Sequence, residues 1–140
     1  MQTFLPYSDF SKSAGVLDRA RLGKQRVETW QIYLALTNPE YGWKNHPATK
    51  MWRGYVGALL EYGQVICQEW ISRGYKDTLL NKFQNAKTSG NVFSLEMPFW
   101  LGDVAFHASH RANLLRKFPE HYNKFNWTDS PTLPYVWPVT

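Results

Sequence analysis

Arg21-Leu22-Gly23-Lys24-Gln25-Arg26-Val27-Glu28 is the stretch on which the fold and the function of this chain turn. Wound at 3.6 residues per turn, it sets Arg21, Lys24, Gln25, Glu28 and Gln31 along one side of a helix. A solvated helix scatters its charges, whereas this one gathers cations, amides and a single carboxylate into one stripe. Cations suit phosphate, amides suit base edges, and a lone carboxylate suits acid–base work. The plain alternative is an exposed face on which Lys24 and Glu28 form an ordinary (i, i+4) pair, worth only ~0.2–0.5 kcal/mol.

The rest of the pattern is helical too. The helix carrying the stripe is expected to begin near Leu17 and run to about Leu36, before Asn38-Pro39. Ala20, Val27, Trp30 and Leu34 read as its buried side, which would put the stripe at the rim of a cleft. A second helix is expected from Pro47, a residue tolerated in a first turn, to a cap at Arg73-Gly74. Trp52, Val56, Leu59, Gly63, Ile66 and Trp70 give it a core-facing stripe. Gly54, Gly57 and Gly63 weaken helix propensity and point to close approach of another backbone. A weaker helix covers roughly Thr78 to Asn85, a loop with a short extended piece covers Lys87 to Met97, and a further helix runs from Gly102 to Lys117, stopped by Pro119. The tail from Asn126 to Thr140 carries three prolines but is too apolar to hang free, and reads as an extended strap across the helices. No alternating strands appear. The chain reads as one mainly α domain over residues 1–140 with an extended C-terminal strap.

Composition bounds the function. At 140 residues the chain can bury a core without disulfides or metal. Its one cysteine, Cys67, has no intramolecular partner and reads as a small core residue in a reducing, cytoplasmic setting. Met1-Gln2-Thr3-Phe4-Leu5-Pro6 does not read as a signal peptide, and no run reaches the ~18 apolar residues of a membrane span. The formal net charge of +5 permits a polyanionic partner. Seven tryptophans add side chains able to wedge or stack bases.

Other constellations fit the same partner. His107, His110 and Arg111 share a helix, with spacings that allow a common face. A phosphate or base contact is one role for them, and a plain structural or surface role is another. Zinc ligation is a weaker one, because a third ligand would have to come from Asp103, His46 or His121. His46, before Pro47, either caps a helix or presents an imidazole to phosphate. The run from Arg116 to Trp127, with Lys124 within it, interleaves basic and aromatic residues, which suits either a nucleic-acid groove or core packing of the aromatics. Phosphate-binding glycine loops, serine elbows and HExxH motifs are absent from the sequence.

With those blocks in view, the whole chain resembles the pyrimidine-dimer DNA glycosylase family, the small helical repair enzymes of phages and algal viruses, and looks closest to a bacterial branch. The resemblance rests on Leu17-Asp18 followed by the Arg21–Glu28 run, on Gln68-Glu69-Trp70-Ile71-Ser72-Arg73-Gly74-Tyr75, on His107 to Lys117, and on Pro119-Glu120-His121-Tyr122-Asn123-Lys124-Phe125. It implies an enzyme whose N-terminal amine attacks C1′ of deoxyribose, forms a Schiff base and breaks the strand by β-elimination. A first-helix glutamate, matched by Glu28, stabilises the oxocarbenium-like sugar and shuttles protons. The duplex is kinked and a base extruded. No cofactor and no metal is implied.

One position departs from the family pattern. The studied enzymes lose the initiator Met and present Thr, whereas residue 2 here is Gln, so the terminal amine is expected to be that of Met1. This leaves two candidate nucleophiles, the Met1 amine and a water activated by Glu28, and Gln2 tips the balance toward water. The sequence therefore reads as a monomeric base-excision glycosylase on double-stranded DNA, acting on damaged or modified pyrimidines, with AP lyase activity if the amine attacks. Glu28 and Met1 are the catalytic candidates. Arg21, Lys24, Gln25, Arg26, His46, His107, His110, Arg111 and Lys124 are the DNA-binding candidates. The rival functions are a non-catalytic DNA-binding module of the same fold and a nucleoside or modified-base hydrolase using water.

Overall fold

The computed structural model describes residues 1–89 and 95–139. Among them are seven α-helices and one 3-10 turn, with no strand: α1 Phe10–Val16, α2 Arg19–Thr37, α3 Pro47–Lys50, α4 Val56–Ser72, α5 Leu80–Thr88, α6 Val104–Lys117 and α7 Pro119–Tyr122, then the turn Asn123–Phe125. The mainly α class is as the sequence reads. No described helix is long and apolar enough to cross a membrane. The loop expected over 87–97 falls in part outside the described residues.

Local chemistry explains the helix starts. The Asp9 carboxylate accepts from Lys12 N at 2.9 Å and opens α1, a helix the sequence reading missed. Asp18 does the same for α2, accepting from Arg21 N at 3.3 Å. The Asp18 carboxyl lies below its ordinary range. Burial opposes this, and the hydrogen bonds from Tyr122 and Arg21 N together with the Arg21 charge overcome it. Tyr122 Oη donates to Asp18 at 2.5 Å and accepts from Asp18 N at 3.0 Å, tying α7 to the start of α2.

The single helix expected over Pro47–Arg73 is two, α3 and α4, broken by a turn in which Gly54 takes φ +89°. Trp52 sits in that turn and is fully buried. The Arg73-Gly74 cap is present, with Gly74 at φ +95°. Pro119 ends α6, as expected, but also begins α7.

Helix α4 packs against α1, α2 and α5. The main core gathers Leu5, Phe10, Leu22, Ile32, Trp52, Leu59, Tyr62, Ile66, Trp100, Phe106, Leu114 and Tyr122. A second cluster of Leu60, Cys67, Phe83 and Ala86 joins α4 to α5. Cys67 is buried, and its thiol is pushed well up, first by burial and then by Asp77. Residues 127–139 form no helix or strand. Trp127, Tyr135, Val136, Trp137 and Val139 pack on the core as the expected strap. Helix α6 holds the strap: Arg111 binds Asp129, Asn113 Nδ2 donates to Leu133 O, and Ser109 Oγ accepts from Val136 N.

The buried side of α2 differs from expectation. Leu22, Gln25, Thr29, Ile32 and Ala35 face inward, while Ala20 and Val27 are exposed and Trp30 and Leu34 are half-buried. The inward face carries two polar residues, so apolar periodicity alone pointed to the wrong side.

Gly63 lies against the side-chain ring of Phe83 rather than against the backbone expected there, and nothing lies within 4 Å of a Cβ built at Gly54. A Cβ built at Gly63 would lie 2.3 Å from Phe83 Cε1, inside a fully buried ring. Gly63→Ala should therefore destabilise the protein by ~1–3 kcal/mol through overpacking, despite its gain in helix propensity. Thermal unfolding checks this, and a raised Tm would contradict the close approach.

Candidate active site

Residues 1–6 form no regular element, yet residues 2–6 are buried. Their backbone groups have no ladder to join, and burying them unpaired would cost ~1–3 kcal/mol each. Side chains supply the partners. Gln25 Oε1 accepts from Phe4 N at 2.6 Å, and Gln25 Nε2 donates to Gln2 O at 2.6 Å. Tyr62 Oη donates to Phe4 O at 2.7 Å. His110 Nδ1 accepts from Leu5 N at 2.9 Å, and His107 Nδ1 donates to Leu5 O at 2.8 Å while its Nε2 accepts from Gly102 N. Arg111 donates to Pro6 O at 2.7 Å. Trp52 Nε1 donates to Thr3 Oγ1.

This clamp ends at a cleft of about 720 Å³ lined by Met1, Gln2, Phe4, Arg21, Lys24, Gln25, Glu28, Lys117 and Tyr135. Gln2 N donates to Glu28 Oε2 at 3.3 Å, so the carboxylate lies one residue from Met1. The Glu28 side chain is 14% exposed, and Lys24 reaches it at 3.7 Å while remaining 76% exposed. Arg21 pairs with Asp18 at 3.2 Å and still lines the cleft. Lys117 Nζ donates to Tyr135 Oη at 3.1 Å and lies over the Phe4 and Tyr135 rings. Burial first, then Arg21 and Arg116, pull the Lys117 amine below its ordinary range, with Glu28 opposing. The cleft thus holds one carboxylate among three cationic side chains and the Met1 amine.

The sequence-named residues divide. Arg21, Lys24, Glu28 and Met1 meet in the cleft. Gln25 lines it, but at 1% exposure its amide is committed to the N-terminal segment. His107, His110 and Arg111 do not reach the cleft. They grip Leu5 and Pro6 instead, and His110 is fully buried. Both His107 nitrogens are engaged, leaving none for a metal, and no cluster of three His, Cys, Asp or Glu side chains is grouped for metal among the described residues. Arg26 pairs with Asp77 at 2.5 Å and lies 4.6 Å over Trp70, away from the cleft. His46 caps α3, accepting from Ala48 N at 3.0 Å. Its imidazole is lowered, first by burial and then by the Met1 amine, with Glu28 opposing, so it stands within electrostatic reach of the cleft. Lys124 lies over Phe125 at the 3-10 turn, not in the cleft. Lys117 and Tyr135 were missed as site residues. Lys117 was visible only as the last cation of its helix, and Tyr135 only as one aromatic of the strap.

A family model described as pyrimidine dimer DNA glycosylase matches residues 1–82. That is more than half of the chain, and the protein belongs to this family. Membership implies DNA binding. No curated protein and no solved structure matches the chain.

The clamp has a pH signature. His110 is held neutral, its pKa pushed down to about 3, first by burial and then by His107 and Lys117. Burial also lowers His107. An unfolded histidine titrates near ~6.5. Below that pH the unfolded chain binds protons that the folded chain refuses. The stability carried by neutral His110 is therefore complete above ~6.5 and is lost as pH falls toward about 3. Tm should drop from pH 7 to pH 4, the unfolding free energy falling by up to ~1.4 kcal/mol per pH unit through His110, with His107 acting in the same direction. His110→Asn, which keeps an acceptor for Leu5 N but cannot titrate there, should start lower and fall less steeply. Parallel profiles would contradict the assignment.

Proposed function

We propose that this family member is a base-excision DNA glycosylase for damaged pyrimidines, with Glu28 as its acid–base residue and the Met1 amine as its nucleophile. The observation that carries the proposal is the Gln2 N–Glu28 bond at 3.3 Å, within a cleft that Met1, Arg21, Lys24 and Lys117 share. A chain terminus ordinarily frays. Here Gln25, Tyr62, His107, His110 and Arg111 hold the first residues in place, which favours the amine over a Glu28-activated water despite Gln2.

In the proposed reaction the neutral amine attacks C1′ and the base departs with the glycosidic electron pair, taking up a proton. The Glu28 carboxylate stabilises the cationic sugar as the bond breaks. The attacking nitrogen gives up a proton, and C1′–O4′ then breaks as O4′ takes up a proton, which leaves a hydroxyl and the protonated imine. Glu28 then accepts a proton from C2′, and the 3′-phosphate leaves by β-elimination. Water finally hydrolyses the imine and returns the amine. Arg21, Lys24 and Lys117 are the cations placed to meet phosphate beside the sugar.

Glu28→Gln is nearly isosteric and keeps the helix. Single-turnover base release should fall by ~10²–10⁴-fold with unfolding and duplex binding little changed. Near-wild-type release would remove Glu28 from the reaction. Borohydride should trap a protein–DNA adduct at the residue 1 amine, as located by peptide mass, and residues added before Met1 should abolish it. Base release unaffected by that extension would transfer the attack to water and leave uncut abasic sites.

Affinity for duplex DNA should also fall steeply between ~50 and 200 mM salt, because releasing counterions gains less free energy as bulk salt rises. Lys24→Ala should reduce the log–log slope by about one. An affinity indifferent to salt would rule out phosphate contact by the cleft cations.

A further inference from the structure

Trp43 is not used by the cleft chemistry. Its backbone lies at φ +70°, where a bulky L-residue is an outlier. The residue is 54% exposed, and its indole meets one described ring, His46, edge-on at 5.7 Å. The loop around it is braced. Lys44 Nζ donates to Pro39 O, Arg53 donates to Lys44 O at 2.9 Å, and His46 N donates to Trp43 O at 3.2 Å. Strain locked by its surroundings, and spent on holding an apolar ring in water, points to use of that ring.

A row of aromatic rings leads from it to the cleft. His46 meets Trp137 at 6.1 Å, and Trp137 meets Tyr135 at 5.7 Å, where Tyr135 forms part of the cleft wall. Beside the row, Tyr41, Trp43, Lys44 and His46 line an open groove of about 460 Å³. The cleft cations Arg21, Lys24 and Lys117 offer charge to a phosphate chain entering the same region. An aromatic face suits a base because every base has a π-face, and an apolar wedge can fill a step from which stacking has been lost.

We propose that Trp43 is a base-stacking wedge: with a damaged nucleotide of duplex DNA in the cleft, its indole packs against a base of the same duplex beside the lesion. The proposal rests on the glycosylase function above and adds a residue that discriminates damaged from intact duplex.

The test uses the full chain in a Glu28→Gln background, so that binding is read without turnover. The probe is a duplex carrying a cyclobutane thymine dimer, with 2-aminopurine in the flanking base pair. Trp43→Asn is the informative variant, because Asn tolerates positive φ and should fold at least as well as the parent. Trp43→Phe restores a ring. The parent should change 2-aminopurine fluorescence on binding. Trp43→Asn should lose that change and bind the dimer duplex roughly 10- to 100-fold more weakly. Undamaged duplex, held by cations, should shift by less than about 3-fold, and Trp43→Phe should recover most of the loss. No fluorescence change in the parent, or equal binding and signal in Trp43→Asn, overturns the wedge even where base release is intact. A Trp43-dependent signal with no base release from the enzyme carrying Glu28 overturns the glycosylase function and leaves the wedge standing.

Discussion

The structure depends on burying a stretch of chain that belongs to no helix or sheet. Residues 2–6 run through the interior, and a buried amide or carbonyl without a partner is costly. Thr3 N finds the side chain of its own neighbour Gln2, and the other partners come from distant helices: Gln25 and Glu28 from α2, Tyr62 from α4, His107, His110 and Arg111 from α6. The requirement fixes chemistry at each of these positions. Gln25 must offer both acceptor and donor, His110 must be neutral with Nδ1 free to accept, and His107 must be the other tautomer. It also makes the cleft a product of the whole fold, since α2, the amino-terminal residues, α6 and the strap all have to arrive before the cleft exists.

The same arrangement sets the electrostatics. Three cationic side chains surround one carboxylate, and Glu28 is the charge that keeps Lys117 from falling further below its ordinary range. Arg21 is shared between Asp18 and the cleft, so its guanidinium is already oriented. Lys24, mostly in water, remains free to swing. A fixed guanidinium gives geometry and an exposed ammonium gives reach. Such a mixture suits a backbone anion that must first be captured and then aligned.

Much of this was legible in the sequence, and its limits are physical. The stripe Arg21, Lys24, Glu28 was readable because helical geometry needs only local spacing. The mainly α class, the Arg73-Gly74 cap and the strap followed from local signals as well. Helix α1 was missed because seven residues give too short a period, and the break between α3 and α4 because Gly54 looked like a packing glycine. Residue type, a shared helix face and the family resemblance point the histidines and Arg111 toward DNA. Their partners lie about a hundred residues away on main-chain atoms, which no spacing rule reaches. Gln25 carries the same lesson within the stripe itself, where one face of a helix serves both the cleft and the core.

Lys117 and Tyr135 also bear on how the family match should be understood. The match spans residues 1–82 and so includes α1 to α4, Glu28 and most of the side chains that grip residues 2–4. Lys117, Tyr135, His107, His110 and Arg111 lie beyond it. Yet without α6 the Leu5 amide and carbonyl lose both partners, and the cleft loses its third cation and its aromatic wall. The matched part cannot complete the site by itself. A fold that clamps its own terminus with side chains from α6 can vary that helix only within the chemistry the Leu5 and Pro6 backbone demands. The strap, held to α6 through Arg111, Asn113 and Ser109, inherits the same restriction. The rim beyond the clamp, from Tyr135 through Trp137 and His46 to Trp43, carries less of it: His46 caps α3, but Trp43 partners none of the buried backbone of residues 2–6, so a change there could alter what is bound without disturbing how the first residues are held.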